Sequence, residues 1–309
     1  MDVISIIRFI ATFLITNSHF GGLYPEGYSF LATGGMIGNA LFFFSSGYAL
    51  YKSDRSNFIK WYLKRFFRII ISVWLFMLIS SLFLNGSFAI VNIVYPPYWF
   101  LQALLLFYIA YFFILKYAVN HICKIAFLFI IPLVISFLMQ HNREGQFIME
   151  ETSNKYFLHY FYLFPIMLFG GLIARNKIKN TNNIGIITIM MFIAIGLYYA
   201  FKGLLITKGL YYLQLFLPLL LCLSIFTIYL TAERISRYTL PIKISKLIFY
   251  ISKLTLDIYI VQFVIIRYFD IYLFPIGFFS SILVIFISAI TLNFVSGFLF
   301  KKCKLILNL

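Results

Sequence analysis

The first apolar stretch of the chain is VISIIRFIATFLITNSHF, from Val3 to Phe20, and it contains one arginine and one histidine. A stretch of this length can cross the hydrocarbon core of a bilayer as a helix. A charged side chain inside that core costs about 3 kcal/mol, so such residues usually face a protein-lined or aqueous cavity. Arg8 and His19 are therefore the first candidates for functional residues.

Arg8 and His19 are predicted to share one face of this helix. Their spacing of eleven residues corresponds to a rise of about 16 Å and a rotation of about three turns plus 20°. An imidazole, whose ordinary pKa is about 6.5, can act as a general base near neutral pH. The residues alone leave two interpretations of His19 open: a catalytic base, or an interfacial histidine whose ring reaches the lipid headgroups.

The composition is that of a membrane protein, with 63% hydrophobic, 21% aromatic and 11% charged residues. Soluble domains carry about a quarter charged residues. We therefore predict an all-α, polytopic integral membrane protein in which residues 1–309 form a single membrane-embedded domain. The histidines show no metal-ligand spacing and no glycine-rich phosphate loop is present, so neither a metal nor a permanently bound cofactor is predicted.

Ten stretches are apolar and long enough to span a bilayer, and each is predicted to form a transmembrane helix. They are Val3 to Phe20, Met36 to Tyr51, Ile69 to Leu84, Tyr98 to Leu115, Ile122 to Leu138, Phe161 to Ala174, Ile184 to Ala200, Leu210 to Leu230, Leu247 to Ile266 and Ile276 to Phe300.

The distribution of positive charge predicts the orientation of these helices. Of the 25 lysines and arginines, 18 fall in loops or the tail that a ten-helix model assigns to the inside, and five fall in the opposite loops. Lysine and arginine in short loops stay in the cytoplasm, so both termini are predicted to be cytoplasmic. The net charge of +16 then reflects topology, and it predicts anionic lipid headgroups rather than nucleic acid as the partner. The first helix is interpreted as a retained anchor, because no basic stretch precedes it.

A second group of polar residues lies where the second and third helices are joined. The sequence FFFSSGY occupies positions 42–48, and KWYLKRFFR occupies positions 60–68. Arg65 and Arg68 are three residues apart, so they are neighbours on one helix face. Two guanidiniums there can clamp a phosphate, because their planar donor forks match phosphate oxygens. The alternative is that they are ordinary basic residues flanking a membrane span.

Five features occur in order along residues 1 to about 265. They are Arg8 with His19, Phe42-Phe43 with Ser46-Gly47, Arg65 with Arg68, Trp99-Phe100-Leu101 with Leu104, and Thr255-Leu256-Asp257-Ile258-Tyr259. Together they resemble the family-3 membrane acyltransferases, which O-acetylate surface glycans and related acceptors in bacteria. That family has a ten-helix core with inward basic ends, in agreement with the topology predicted from charge.

The resemblance implies transfer of an acyl group, usually acetyl, from cytoplasmic acetyl-CoA as donor substrate to a hydroxyl at the outer face. The expected acceptor is a capsular or other surface polysaccharide, and the expected location is the bacterial cytoplasmic membrane. His19 matches the family's proposed general base. Arg8, Arg65 and Arg68 match residues that the family links to donor binding. Many relatives have a histidine where this chain has Gln262, so no acid or base role is assigned to Gln262.

Polar residues near these motifs have two interpretations each. Four side chains are candidate donors to a developing oxyanion, or polar groups that bond to a neighbouring helix: Asn17, Ser46, Trp99 and Gln102. Lys253 and Asp257 are four residues apart and are predicted to pair with each other. The outer loop between His141 and His159 is predicted to be a solvated surface loop, with control of acceptor access as the alternative.

Two other classes of function remain open from the residues. A transporter or flippase of lipid-linked saccharides also needs polar residues inside a helical bundle, but it usually shows an internal repeat or a polar path through both halves. The fifth, seventh and tenth helices look too apolar for such a path. A non-catalytic membrane assembly partner is the third interpretation, and under it Arg8 and His19 would tolerate replacement.

Overall fold

The computed structural model describes residues 2–83, 96–144, 158–176, 183–238, 240–269 and 274–307. All regular secondary structure in these ranges is helical, which confirms the all-α class. Eleven α-helices lie in the described part of the chain: α1 Val3–Ser18, α2 Gly35–Tyr51, α3 Phe58–Phe83, α4 Trp99–Tyr117, α5 Ile122–Leu128, α6 Ile130–Glu144, α7 Leu158–Asn176, α8 Ile184–Lys208, α9 Leu217–Ser236, α10 Ile242–Phe269 and α11 Ile276–Ile306.

Eight helical stretches of the described chain are long and apolar enough to cross a membrane. The shorter helices α1 and α2, of 16 and 17 residues, occupy the first two predicted spans. The chain is thus a multi-pass membrane protein, whereas the count of ten spans and the cytoplasmic position of both termini stay predictions. Most of the outer loop predicted between positions 141 and 159 lies outside the described residues.

Several helix boundaries differ from those predicted by hydrophobicity. Helix α3 begins at Phe58, eleven residues before the predicted start at Ile69, so the basic residues of positions 60–68 lie on the helix itself. The fifth predicted span is divided between α5 and α6, and the eighth begins with a 3₁₀ turn at Tyr211–Phe216. A span predicted from hydropathy ends at the first turn that contains charged residues, whereas the helical hydrogen bonds of the backbone continue through that turn.

The described chain forms two compact units. Unit 1 comprises Met1–Arg8, Asn39–Ser53 and Ala110–Ser245, and unit 2 comprises Phe9–Gly38, Asp54–Ile109 and Lys246–Leu309. Each unit is discontinuous in sequence and is described by itself below. That residues 1–309 act as one membrane-embedded domain stays a prediction.

Helices α2 and α7 of unit 1 touch backbone to backbone. A Cβ atom at Gly47 would lie 1.9 Å from the carbonyl oxygen of Met167, and one at Gly170 would lie 2.1 Å from that of Phe44. The hydroxyl of Tyr111 donates a hydrogen bond of 2.6 Å to the carbonyl of Gly47. Small residues permit such close helix crossings in membranes, so Gly47 of the Ser46-Gly47 motif has a packing role.

We expect Gly47→Ala to destabilise the protein, because the added methyl group can be accommodated only if α2 and α7 move apart. Overpacking of this kind costs about 1–3 kcal/mol. The midpoint of thermal unfolding in detergent measures the effect. Gly196→Ala in α8 is the matched control, because a Cβ atom there meets nothing within 4 Å. Equal midpoints for the two variants would show that the crossing tolerates a side chain.

Within unit 2, the part of α1 after Arg8 and the part of α10 after Ser245 are joined by two side-chain hydrogen bonds. The Thr12 hydroxyl donates to Thr255 Oγ1 at 2.9 Å, and the Thr16 hydroxyl donates to Gln262 Oε1 at 2.9 Å. Residue numbers increase together in the two pairs, so α1 and α10 run in the same direction. This parallel course agrees with their positions as the first and ninth of the ten predicted spans.

Candidate functional site

His19 follows directly after the last residue of α1 and packs against α10. Its ring contacts the Phe263 ring edge-on, with centroids 4.4 Å apart and an interplanar angle of 62°. The Phe263 ring in turn stacks on the Tyr98 ring at 5.6 Å. His19 is partly buried, and neither ring nitrogen has a hydrogen-bond partner among the described residues. The imidazole is therefore held in place by aromatic contacts, with its nitrogens available to a ligand.

Asn17, two residues before His19, ties the end of α1 to the loop that follows it. Its Nδ2 donates to the carbonyls of Leu31 at 2.8 Å and Thr33 at 3.0 Å, and its Oδ1 accepts a hydrogen bond of 2.6 Å from the Tyr24 hydroxyl. Both amide hydrogens are thus engaged by backbone carbonyls. Asn17 thus bonds to the segment that directly follows α1, and these contacts hold the end of the helix from which His19 projects.

The beginning of α4 lies beside the same part of α10. Gln102 is buried, and its Nε2 donates to the carbonyl of Pro96 at 2.8 Å. Trp99 is partly buried, with its ring 5.8 Å from that of Phe100. Phe100 reaches the Tyr259 ring at 5.0 Å. Trp99 and Gln102 therefore stand on the turn of α4 that packs against α10, one helical turn from the contact of His19.

Arg65 and Arg68 lie on one face of α3 in different environments. The Arg65 guanidinium lies 3.7 Å over the Trp61 ring, and its Nη1 donates to the Trp61 carbonyl at 2.6 Å. Arg68 is exposed. A guanidinium that stacks on tryptophan keeps a defined orientation, so Arg65 is positioned by Trp61 whereas Arg68 projects outward.

The predicted pairing of Lys253 with Asp257 is wrong. Asp257 is 2% exposed, and its Oδ2 accepts a hydrogen bond of 2.7 Å from Asn293 on α11. Lys253 is exposed, with its ammonium 4.2 Å over the Phe249 ring. Helical spacing places the two residues on one stripe, but a long lysine side chain leaves the packed interior, whereas the short aspartate points into it.

The remaining two predicted site residues belong to unit 1. Arg8 is partly buried in α1 and has interaction partners, and Ser46 is 4% exposed on α2. Unit 2 holds the other six predicted residues. Within unit 2, His19 meets α10 at Phe263.

A family model described as an acyltransferase domain, that of the family-3 acyltransferases, matches residues 2–301. The chain belongs to this family. The match covers nearly the whole chain, confirms the resemblance carried by the ordered motifs, and makes the protein an acyltransferase of the kind that transfers groups other than aminoacyl groups. No curated protein and no solved structure matches the chain.

Sequence reasoning about this acyltransferase missed the contacts of Gln262. Gln262 is completely buried beside Phe263, and its Nε2 has no hydrogen-bond partner among the described residues. The sequence held one indication of these contacts, namely an uncharged polar residue inside an apolar helix and next to a recognised motif. That signal is weak, because most such residues bond to a neighbouring helix.

We expect Asn293→Leu to destabilise this acyltransferase, because Oδ2 of the buried Asp257 side chain loses the hydrogen bond that Asn293 donates. An unsatisfied buried polar group costs about 1–3 kcal/mol, and more when it is charged. Lys253→Ala is the matched control and should change the thermal midpoint little, since Lys253 is exposed. A fall in the midpoint for Lys253→Ala that equals the fall for Asn293→Leu would restore the helical pair predicted from spacing.

Proposed function

We propose that this acyltransferase moves an acyl group, acetyl, from cytoplasmic acyl-CoA to a hydroxyl of an extracytoplasmic glycan such as capsular or surface polysaccharide. The proposed location is the cytoplasmic membrane of a bacterium. The observation that carries the proposal is the His19 ring at the end of α1, held by Phe263 with both nitrogens unpartnered among the described residues. Membership of an acyltransferase family favours this function over the transporter and the assembly partner.

His19 supplies the proton chemistry in this proposal. Its imidazole accepts the proton of the acceptor hydroxyl while the hydroxyl oxygen forms a bond to the thioester carbonyl carbon. The carbon–sulfur bond then breaks, and the leaving thiolate takes the proton from the imidazolium to give free CoA. The products are the O-acyl ester and CoA, and the neutral imidazole is restored.

The arginine pair on α3 supplies the donor site in this proposal. The phosphates of CoA carry negative charge that guanidinium groups bind through paired, charge-assisted hydrogen bonds. Arg65 is oriented by Trp61, and Arg68 is exposed on the same face together with Lys64. Arg8, which matches a donor-linked residue of the family, is assigned to the same substrate.

His19→Ala should abolish acyl transfer, because general-base catalysis by one side chain contributes about 10²–10⁴-fold to the rate. The variant should remain folded. Incorporation of label from acetyl-CoA into surface glycan measures the effect at matched expression. His121→Ala is the control, since His121 is an exposed residue of a short 3₁₀ turn. Activity of His19→Ala equal to that of His121→Ala would remove His19 from the mechanism.

Replacing Arg65 and Arg68 together by alanine should raise the KM for acetyl-CoA with a smaller effect on kcat. Two charge-assisted hydrogen bonds of about 1.5–3 kcal/mol each correspond to a rise of at least about a hundredfold. Lys243 and Lys246 form the control pair, because they are exposed and three residues apart at the start of α10. Equal KM values for the two double variants would make the arginines ordinary flanking charges.

Mass analysis of surface glycans tests the acceptor. A bacterial strain that lacks this protein should lose an O-acyl substituent that its parent carries, and the mass difference identifies the acyl group. Glycans of identical mass in the two strains would direct the search to lipid or peptidoglycan acceptors.

A further inference from the structure

The Gln262 side chain is the most unusual polar group beside His19. It is 0% exposed, and its Nε2 has no hydrogen-bond partner among the described residues. Buried amide donors in native proteins nearly always have an acceptor from the protein, from water or from a ligand. An N–H group that is enclosed and unpartnered next to a candidate base therefore points to a ligand atom that arrives during function.

Thr16 determines which way this amide faces. The Thr16 hydroxyl donates to Gln262 Oε1 at 2.9 Å, so the oxygen is turned towards α1 and the NH₂ group is directed away from Thr16. The backbone N–H of His19 donates to the carbonyl of Thr16 at 3.1 Å. One residue of α1 thus holds both the amide of Gln262 and the backbone of His19.

Helix α10 also connects Gln262 with His19. Phe263, which directly follows Gln262, contacts the His19 ring at 4.4 Å. A single turn of α10 therefore contacts the end of α1 twice, through the amide oxygen of Gln262 and through the ring of Phe263. The base and the amide are linked by two independent connections, one through Thr16 and one through Phe263.

We propose that Gln262 Nε2 donates a hydrogen bond to the carbonyl oxygen of the acyl group while that oxygen carries negative charge during transfer. This assignment rests on the proposed function. When the acceptor oxygen bonds to the thioester carbon, the carbonyl π electrons move to this oxygen, and Gln262 Nε2 stabilises the charge. When the carbon–sulfur bond breaks, the carbonyl double bond is restored and Gln262 retains both of its protons.

The other two amides considered for this role are already engaged. Asn17 gives both amide hydrogens to the carbonyls of Leu31 and Thr33, and Gln102 directs its Nε2 to the carbonyl of Pro96. Gln262 has the enclosed amide hydrogens that an oxyanion site requires, because a donor in a water-excluded site needs no reorganisation when charge develops.

The test compares kcat and KM of purified variants with labelled acetyl-CoA and isolated surface glycan. Gln262→Leu keeps a similar volume and removes the donor, so kcat should fall by about 10²–10³-fold with little change in the KM for acetyl-CoA. Thr16→Val keeps the amide but releases its orientation, and it should lower kcat by a smaller factor. Thermal midpoints establish that each variant is folded. If Gln262→Leu does not fold, Thr16→Val and Gln262→Asn replace it: a lower kcat for both supports the assignment, and a kcat equal to that of the parent for both overturns it.

Thr255→Val is the matched control, because it removes the other hydrogen bond between α1 and α10, at Thr12. Its kcat should stay within about twofold of the parent, since Thr255 lies roughly two helical turns from Gln262. A normal kcat for Gln262→Leu, or an equal loss for Thr255→Val, overturns the assignment and makes Gln262 part of the helix contact alone.

The outcomes separate this assignment from the proposed function. If His19→Ala abolishes acetyl transfer and Gln262→Leu remains fully active, only the role of Gln262 is lost. If the parent protein transfers no acetyl group, or if His19→Ala is as active as the parent, the proposed function fails and the role of Gln262 fails with it.

Discussion

The hydrogen bond between Thr16 of α1 and Gln262 of α10 is the interaction on which the candidate site depends. A second hydrogen bond, from Thr12 to Thr255, joins the same two helices about two turns away. In hydrocarbon no water replaces a lost partner, so such bonds hold neighbouring membrane helices in one register. This register places the His19 ring against the ring of Phe263. A shift of one residue between the helices would turn the imidazole to another surface.

Helix α10 serves as the common support for the polar residues of unit 2. Asp257 meets Asn293 of α11, the Ile260 carbonyl accepts a hydrogen bond from Tyr98, and Phe263 packs on His19. These contacts follow one another along a single helix, which is rigid because all its backbone groups bond internally. The contacts of Asp257, Ile260 and Phe263 thus keep a constant separation along α10.

The polar residues near the candidate site differ in how completely their hydrogen bonds are satisfied. Asn17 and Gln102 already donate to backbone carbonyls, so they stabilise the loop and the helix start that surround the site. The ring nitrogens of His19 and the amide nitrogen of Gln262 have no partner among the described residues. A buried amide nitrogen without an acceptor is rare in native proteins, and this observation is the basis of the role proposed for Gln262.

The sequence by itself determined the all-α membrane class, most of the helical stretches and the acyltransferase family, because hydrophobicity and motif order are properties of the chain taken locally. The tertiary structure alone decided the helix partners. Asp257 bonds to Asn293 rather than Lys253, and Gln262 bonds to Thr16, more than two hundred residues away. A side chain's partner depends on which helix faces it in the folded bundle, and periodicity within one helix carries no information about its neighbour.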